Sequence, residues 1–492
     1  MNQQTAMRKI HISWHIAWAA LGVVAGAALA PKLPPVFADT AWMVIGCSVL
    51  VPVLIKRNAA LVLAALAAGM TIGAWRGGLE RSALNDYQQY LGQTVKISGM
   101  VAEDASYAVD GSIRLRLKEV SINDAGLTGK VWASSSSKLE IKRGDQIELS
   151  GSLSKGFGTL PAAMYRAQVI SVTRPHPGDL ARQARDEFSE GVHHAIPSTE
   201  KAALGLGFLT GQKQGLPEQL AEQIRTVGLA HVVVASGFHL TLLVGFVRRP
   251  FTRLSKYLAT LTGGLMIGGF SLVTGFTPSM SRAGLVSALS LLAWHYGRAF
   301  QPAVLLALAA AVTVLINPAY VWGDAGWALS FAAFAGVIIL APLIHRYFWG
   351  NKKPSILRSL LITTIAAQIT TLPIIASLFH QYSPYSLLAN LLVVPLVPLA
   401  MLFTFLAGIV GLIAPGIAVW IGWPAGLILT YCTGVINWIS ELPGAASEVE
   451  IGSTTVATGY VLIVLATLYL WRKTGHNFRQ SDQSQERANV NT

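Results

Sequence analysis

Apolar runs alternate along this chain with one long polar region. Three runs come first, near 12–30, 40–55 and 59–75. Nine more follow, at 228–247, 258–275, 281–297, 302–317, 325–345, 360–379, 386–411, 416–440 and 454–471. Most approach the ~20 residues that a helix needs to cross the hydrocarbon core of a bilayer. The pattern predicts a polytopic α-helical membrane protein of about 12 spans.

The polar region between the third and fourth runs has a different period. Short alternating stretches, separated by Gly, Asp, Asn and Ser, occupy residues 90–175: TVKISGMV, SIRLRLKEV, GKVWAS, DQIELSGSL and AAMYRAQVISV. They predict a small antiparallel, all-β domain, a barrel of five or six strands. Arg114, Arg116 and Lys118 alternate and therefore share one strand face. That face is either a DNA contact or a solvated surface.

Residues 179–226 predict amphipathic or interfacial helices. Charged residues at helical spacing predict a helix on the outer membrane surface that ends at Pro197, and 217–225 predicts a second one. Leu204–Leu209 is apolar but too short to span, which indicates a re-entrant or interfacial element. We therefore divide the chain into N-terminal spans (1–76), an extracytoplasmic β domain (77–178), interfacial helices (179–226), a transmembrane domain (227–471) and a disordered cytoplasmic tail (472–492).

Composition and charge agree with a membrane protein. The chain is 52% hydrophobic and 12% charged, whereas soluble proteins carry about 25% charged residues. The net charge of +13 is concentrated in short loops, which places both termini in the cytoplasm by the positive-inside rule. We read the first run as an uncleaved span rather than a signal peptide. Cys47 and Cys432 lie in apolar segments and predict no disulfide framework.

One span carries more polar groups than an anchor requires. The stretch Gly228–Arg249 contains His231, Ser236, Gly237 and His239. In a continuous helix, Ser236 and His239 share a face. Ionisable groups inside a membrane usually face a bundle interior or a water-filled path. The alternative is a serine bonded to its own helix and histidines at the two interfaces.

Four further positions combine a polar residue with a proline or a turn. Arg282 follows Pro278 at the start of a span, so it either faces a cavity or snorkels to the interface. Asp324 lies in an outer loop, where it either pairs with Arg282 or serves turn chemistry. Two spans combine an amide with prolines and predict broken helices or simple kinks: Gln368 with Pro373, and Asn390 with Pro395 and Pro398.

Four ordered motifs resemble the ComEC family, the inner-membrane DNA channels of natural transformation. HVVVASGFHLTLLVGF is followed by PSMSRAG, then INPAYVWGDAGWALSFAAFAGV, then ITTLP and LLANLLVVPLVP. The resemblance covers residues 40–440. It implies an OB-like extracytoplasmic domain and a channel domain that passes single-stranded DNA inward. On that resemblance, the motif positions are His231, Ser236, Gly237, His239, Pro278, Arg282 and Asn390.

The resemblance also implies what the chain leaves to partners. Larger members carry a C-terminal metallo-β-lactamase-like nuclease domain, and no H-x-H-x-D-H occurs here. No phosphate-binding G-x-x-x-x-G-K-[ST] occurs either. We expect a non-enzymatic channel in the bacterial cytoplasmic membrane, without metal or cofactor. Its expected partners are single-stranded DNA, membrane lipids, an outer DNA-delivery protein, a separate nuclease or strand-separating factor, and a cytoplasmic ATPase or single-strand-binding protein.

Two other functions remain open from the residues alone. An intramembrane serine protease would use Ser236 with a histidine from a neighbouring span, but His239 on the same helix has poor geometry for that role. A small-molecule transporter would use the two broken helices. Inverted symmetry between the halves would favour a transporter, and the sequence shows none.

Overall fold

The computed structural model describes residues 11–475 except 57, 108–111, 124, 137–138, 213–214, 234–236, 276–277, 298–300, 353, 380 and 449–451. The chain forms two compact units. The first consists of Met1–Leu180 and Val304–Trp327, and the second of Ala181–Ala303 and Ala328–Thr492.

The helices account for most of the described chain. In order they are α1 Ile12–Leu29, α2 Thr40–Lys56, α3 Val62–Asn85, α4 Leu180–Ala195, α5 Thr199–Thr210, α6 Glu218–Thr226, α7 Ala230–Val233, α8 Gly237–Thr252, α9 Lys256–Thr274, α10 Pro278–His295, α11 Pro302–Ile316, α12 Ala319–Gly323, α13 Ala325–Ala335, α14 Ala341–Trp349, α15 Ile356–Phe379, α16 Ser386–Val393, α17 Val397–Ile413, α18 Pro415–Ser440 and α19 Ser453–Thr474. A π-helical turn, Gly336–Leu340, joins α13 to α14.

Eight helical segments among the described residues are long and apolar enough to cross a membrane. They are Ile12–Lys32, Val62–Tyr90, Lys256–Thr274, Ala325–Trp349, Leu357–Leu378, Ser386–Ile413, Pro415–Ser440 and Thr454–Thr474. Two shorter apolar helices are Thr40–Ile55 and Ala303–Ile316. The structure thus confirms a helical membrane protein, and the total of about 12 spans stays a prediction.

The first and third helices pack through glycine. A side chain at Gly69 of α3 would overlap the carbonyl oxygen of Ala19 on α1, and one at Gly73 would overlap that of Val23. Lipid offers no hydrophobic driving force for helix association, so small residues that let two backbones approach are the usual contact. The small residues of these spans therefore bind the helices closely to one another.

The strands form the predicted small barrel. They are β1 Thr94–Val101, β2 Ser106–Tyr107, β3 Ile113–Ile122, β4 Ala125–Leu127, β5 Val131–Ser135, β6 Gln146–Lys155, β7 Ala162–Met164 and β8 Gln168–Thr173, with a short pair β9 Gln381–Tyr382 and β10 Ser447–Glu448 elsewhere. Five strands close in the order β1–β3–β5–β7–β6–β1. Only the β5–β7 pair of this circuit is parallel. Alternate residues of β3 (Ile113, Leu115 and Leu117) fill the interior.

An ion pair joins the start of β6 to the segment after β8. Asp145 is 1% exposed, and its two carboxylate oxygens each accept a 2.9 Å hydrogen bond from Arg174. This hydrogen bond raises the pKa of the Arg174 guanidinium. A buried carboxylate needs such a partner, because an unpaired charge in the interior is costly. The pair therefore fixes how the chain leaves the barrel.

Two helices that follow the barrel pack inside the second unit. The first half of α4 carries Arg182 and Arg185, which both bind Asp186. One face of its second half, Gly191, Val192 and Ala195, is buried, and a side chain at Gly411 of α17 would overlap the backbone of Gly191. In α5, residues 202–210 are all buried, and it lies against α17 and α18. An apolar segment too short to span is thus accommodated in the helical core.

Candidate functional site: a polar cluster in the helical unit

Within the stretch predicted as one span, 228–247, helix covers Ala230–Val233 (α7) and continues from Gly237 onward (α8), and residues 234–236 lie outside the described residues. Gly228 has a left-handed backbone with φ of 75°, α7 ends at Val233, and α8 begins at Gly237. Ser236 lies outside the described residues, so its predicted face and its role in a serine protease are not tested. This positive φ, which glycine adopts readily, lies outside the right-handed helical region. The helix therefore begins only after Gly228.

A hydrogen-bonded chain links α15 to α16. The side-chain amide of Gln368 donates to the hydroxyl of Ser386 at 2.8 Å. One turn along α16, the side-chain amide of Asn390 donates to the Ser386 carbonyl at 2.8 Å. Asn390 is 4% exposed, so its amide is shielded by protein rather than directed at lipid.

The residues before and within α7 meet this chain. The imidazole of His231 lies close to the Asn390 side chain and to the backbone of Gly228. A Cβ on Gly228 would lie 2.7 Å from that of Ser386 and 3.5 Å from that of Ser383. Three remote segments therefore converge. We call His231, Gln368, Ser386 and Asn390 the polar cluster.

Sequence reasoning found three members of the polar cluster and missed the fourth. Ser386 connects Gln368 to Asn390, yet a serine is a weak signal in any helix. The available clue was its spacing, because Ser386 and Asn390 are four residues apart and share one helix face. At Pro395, where the sequence left a break or a kink open, a 3₁₀ turn at Val394–Leu396 separates α16 from α17 within the helical segment Ser386–Ile413. In contrast, α15 continues through Pro373.

Arg282 and His239 lie in a neighbouring group of helices. Both are buried, at 3% and 0% exposure. A Cβ on Gly237, the first residue of α8, would lie 3.4 Å from that of Ala283 on α10. Pro278 is the first residue of α10. The structure thus brings Gly237 beside the Arg282 turn and shields the guanidinium in the protein.

Asp324 belongs to the first unit and acts as a helix cap. Its carboxylate accepts a hydrogen bond from the backbone N–H of Trp327 at the start of α13. The indole N–H of Trp327 in turn donates to the Thr313 hydroxyl at 3.0 Å. Of the two roles open from the sequence, the structure shows the turn chemistry.

The basic stripe on the barrel lies on the outer face of β3, as the alternation indicates. Arg114 and Arg116 are exposed and Lys118 is half-buried. Arg116 pairs with Glu103 at 3.1 Å, and Lys118 pairs with Glu119 at 3.4 Å. Part of the stripe's charge is therefore neutralised within the barrel.

Aromatic side chains lie beside this stripe. Trp132 on β5 is the register partner of Arg116. Its ring centroid lies 5.1 Å from that of Tyr165 and 5.7 Å from that of Phe157. Tyr165 and Phe157 are 52% and 49% exposed. We call these three residues the aromatic trio. Sequence reasoning missed it, because two members lie between strands, where no alternation marks them.

The described residues contain no group of three His, Cys, Asp or Glu side chains placed to hold a metal ion. The polar cluster is built from amides, a hydroxyl and an imidazole. It can donate and accept hydrogen bonds without a fixed carboxylate.

A multi-pass helical unit with a polar cluster among its helices, joined in one chain to a small β-barrel, defines a class of membrane protein. The competence protein family model matches residues 208–474. The chain belongs to the competence protein family, of the ComEC type, as its four ordered motifs indicate, and it is a multi-pass membrane protein.

Curated relatives support the same assignment. The chain is 25% identical over 356 residues to ComE operon protein 3 of Bacillus subtilis (strain 168), which covers 67% of this chain and 43% of that protein. It is 24% identical over 298 residues to an uncharacterized protein of Aquifex aeolicus (strain VF5), covering 60% of this chain and 67% of that one. It is 27% identical over 206 residues to the uncharacterized protein YcaI of Escherichia coli (strain K12), and the match covers 39% of this chain and 27% of that protein. No solved structure matches the chain.

Proposed function

We propose that this protein passes single-stranded DNA across the bacterial cytoplasmic membrane during natural transformation. The observation that carries the proposal is the polar cluster, in which direct hydrogen bonds join Gln368 and Asn390 to Ser386 and His231 lies beside Asn390. All four lie within the segment that the competence family model matches.

The chemistry of the polar cluster suits a polyanion that must move on. Polar groups at membrane depth usually face a bundle interior or a water-filled path. Neutral donors such as the Gln368 and Asn390 amides can bond a phosphate oxygen without the tight attraction of a fixed cation. Conduction requires binding that is favourable enough to enter and weak enough to leave. Arg282 supplies a shielded cation in the neighbouring helices.

The barrel supports the same cargo. The closed barrel uses five strands, which in chain order are β1, β3, β5, β6 and β7. Around the barrel they follow the order first, second, third, fifth, fourth, and the third and fifth (β5 and β7) are parallel. We propose that this is an OB-like fold, whose barrel face commonly binds oligonucleotides. The aromatic trio provides ring faces for stacking, and the exposed Arg114 provides charge for the backbone. This combination is how proteins hold single strands without reading their sequence.

The proposal includes a topology and a set of partners. About 12 spans with both termini in the cytoplasm place the barrel outside, which allows it to receive DNA from a delivery protein. We propose that a separate nuclease or strand-separating factor removes one strand, and that a cytoplasmic ATPase or single-strand-binding protein supplies direction. Incubating purified protein with DNA and Mg²⁺, Mn²⁺ or Zn²⁺ tests whether strand removal needs a separate protein. Metal-dependent cleavage by this chain would contradict that proposal.

A small-molecule transporter is the second candidate, and the interruption between α16 and α17 favours it. Transport sites are often built at such discontinuous helices. The two functions differ in cargo, so growth on small solutes should change in a deletion strain only if the chain is a transporter.

The proposed function is tested by deletion. In a strain lacking the gene, labelled DNA should still reach the outer compartment, no label should enter the cytoplasm, and no transformants should form. Complementation should restore both. Normal transformation without the protein would contradict the proposal.

A further inference from the structure

A cavity of about 410 Å³ lies where α14 and α19 end. It is lined by Arg346, Tyr347, Gly350, Asn351, Lys473 and Thr474. Its volume is within the roughly 300–1,000 Å³ of small-molecule sites. The family motifs and the proposed DNA path do not include any of these residues, so the cavity has no role in the function proposed above.

The net charge at the cavity is positive, although the C-terminal ends of two helices contribute partial negative charge there. Both α14 and α19 terminate here, at Trp349 and Thr474. A helix C-terminus carries about −0.5 charge, so the two ends together contribute about −1. Arg346 and Lys473 contribute two full positive charges. The net local charge therefore favours an anion.

The stretches of sequence that contain Arg346 and Lys473 have no acidic residue. No Asp or Glu occurs from residue 325 to 440, or from 451 to 481. The same segments carry further cations near the helix ends, Lys352, Arg358 and Arg472. The guanidinium of Arg358 lies 5.1 Å from the ring centroid of Trp349. The six residues that line the cavity include two cations and no carboxylate.

The sides of the cavity are aromatic and the adjoining helix face is apolar. The rings of Tyr347 and Tyr469 lie against each other, with centroids 6.5 Å apart. Aromatic rings at this level are typical of the membrane–water interface. Below them, α19 presents exposed apolar side chains along its length, among them Leu462, Leu465 and Leu468. The apolar core of α19 (Thr454–Thr474) contains no buried residue.

We propose that the cavity binds the headgroup of an anionic phospholipid. The phosphate lies between Arg346 and Lys473, the Asn351 amide donates to the headgroup, and the acyl chains run along the exposed face of α19. A basic pocket between membrane helices at a bilayer surface is the known setting for such headgroups. The apolar face decides between a lipid and a soluble phosphate, because only a lipid uses both features.

The test is lipid retention by the purified full-length protein in detergent. Phosphatidylglycerol, phosphatidylcholine, inorganic phosphate and a short single-stranded oligonucleotide are titrated separately and in competition, with bound species counted by native mass spectrometry. Lys473→Gln removes an exposed cation, and a double variant adds Arg346→Gln. Arg472→Gln is the matched control. It removes the same charge at the neighbouring position, and the Arg472 side chain does not line the cavity.

The lipid site predicts retention of phosphatidylglycerol over phosphatidylcholine. Affinity for phosphatidylglycerol should fall roughly five-fold in Lys473→Gln and further in the double variant, because a basic residue at an anionic membrane surface contributes about that factor. Arg472→Gln should retain the wild-type affinity. An equal loss in Arg472→Gln would overturn the proposal in favour of general surface attraction. Displacement of the lipid by inorganic phosphate or by the oligonucleotide would overturn it in favour of those ligands.

Discussion

The side-chain amide of Gln368 on α15 donates a 2.8 Å hydrogen bond to the Ser386 hydroxyl on α16. Ser386 also lies against Gly228, where an added Cβ would approach it to 2.7 Å. One serine thus holds together an amide from one helix and a backbone turn from the most polar membrane stretch of the chain. Ser386 is therefore the residue through which the parts of the polar cluster contact one another.

Gln368→Ala should weaken DNA uptake without preventing insertion. Removing an intramolecular hydrogen bond costs about 1 kcal/mol, which corresponds to roughly five-fold in an equilibrium. We expect transformation frequency to fall at least about that much while the protein accumulates normally on immunoblots. Thr371→Ala is the control on the same helix, because that hydroxyl bonds the Ala367 carbonyl of its own helix. Equal frequencies for the two variants would remove Gln368 from the site.

Arg282→Ala should abolish transformation and leave membrane levels of the protein unchanged. A cation that is 3% exposed at membrane depth is costly to keep without a function. Arg282→Lys should restore part of the activity, and Arg253→Ala, an exposed arginine of the same unit, should behave as wild type. Loss of the Arg282→Ala protein itself would show that the arginine serves folding.

Much of the fold followed from the period of the sequence. The alternation in TVKISGMV and SIRLRLKEV placed β1 and β3, since a half-buried strand must alternate between core and solvent. The long apolar runs placed most of the spanning helices. Both signals are local, and each element is dictated by its own residues.

The candidate site was only partly accessible from sequence. His231, Gln368 and Asn390 stood out because polar groups in apolar runs are rare. The bonds among them depend on how α7, α15 and α16 pack, which no single segment encodes. The same limit applies to Gly228, whose left-handed backbone keeps the helix from starting at residue 228 as predicted, and to the aromatic trio, which tertiary packing assembles.

Tyr165→Ala should weaken binding of single-stranded oligonucleotides by the purified full-length protein. Stacking on an aromatic ring contributes about 1–3 kcal/mol per base, which is roughly five- to 150-fold in Kd. Ile170→Ala, a comparably exposed residue of β8, is the control and should bind normally. Fluorescence anisotropy at two salt concentrations measures both. Identical Kd values for the two variants would argue against stacking on this face.

A cysteine at Leu139 should react with a membrane-impermeant maleimide in spheroplasts. Leu139 is 53% exposed on the barrel, and the proposed topology places the barrel outside the cytoplasm. The native Cys47 is exposed and must first be replaced by serine, together with Cys432. Lys352→Cys, in a loop assigned to the cytoplasm, should react only after the membrane is permeabilised. The reverse pattern would invert the topology.

Photo-crosslinking during uptake tests the central claim most directly. A photoreactive amino acid at position 383, beside Gly228 and next to the polar cluster, is compared with one at 462 on the exposed face of α19. The account predicts that labelled DNA in transit crosslinks to position 383, in single-stranded form, and not to position 462. Absence of a crosslink at 383 in cells that import DNA normally, or equal crosslinking at both positions, would contradict a DNA path through the polar cluster.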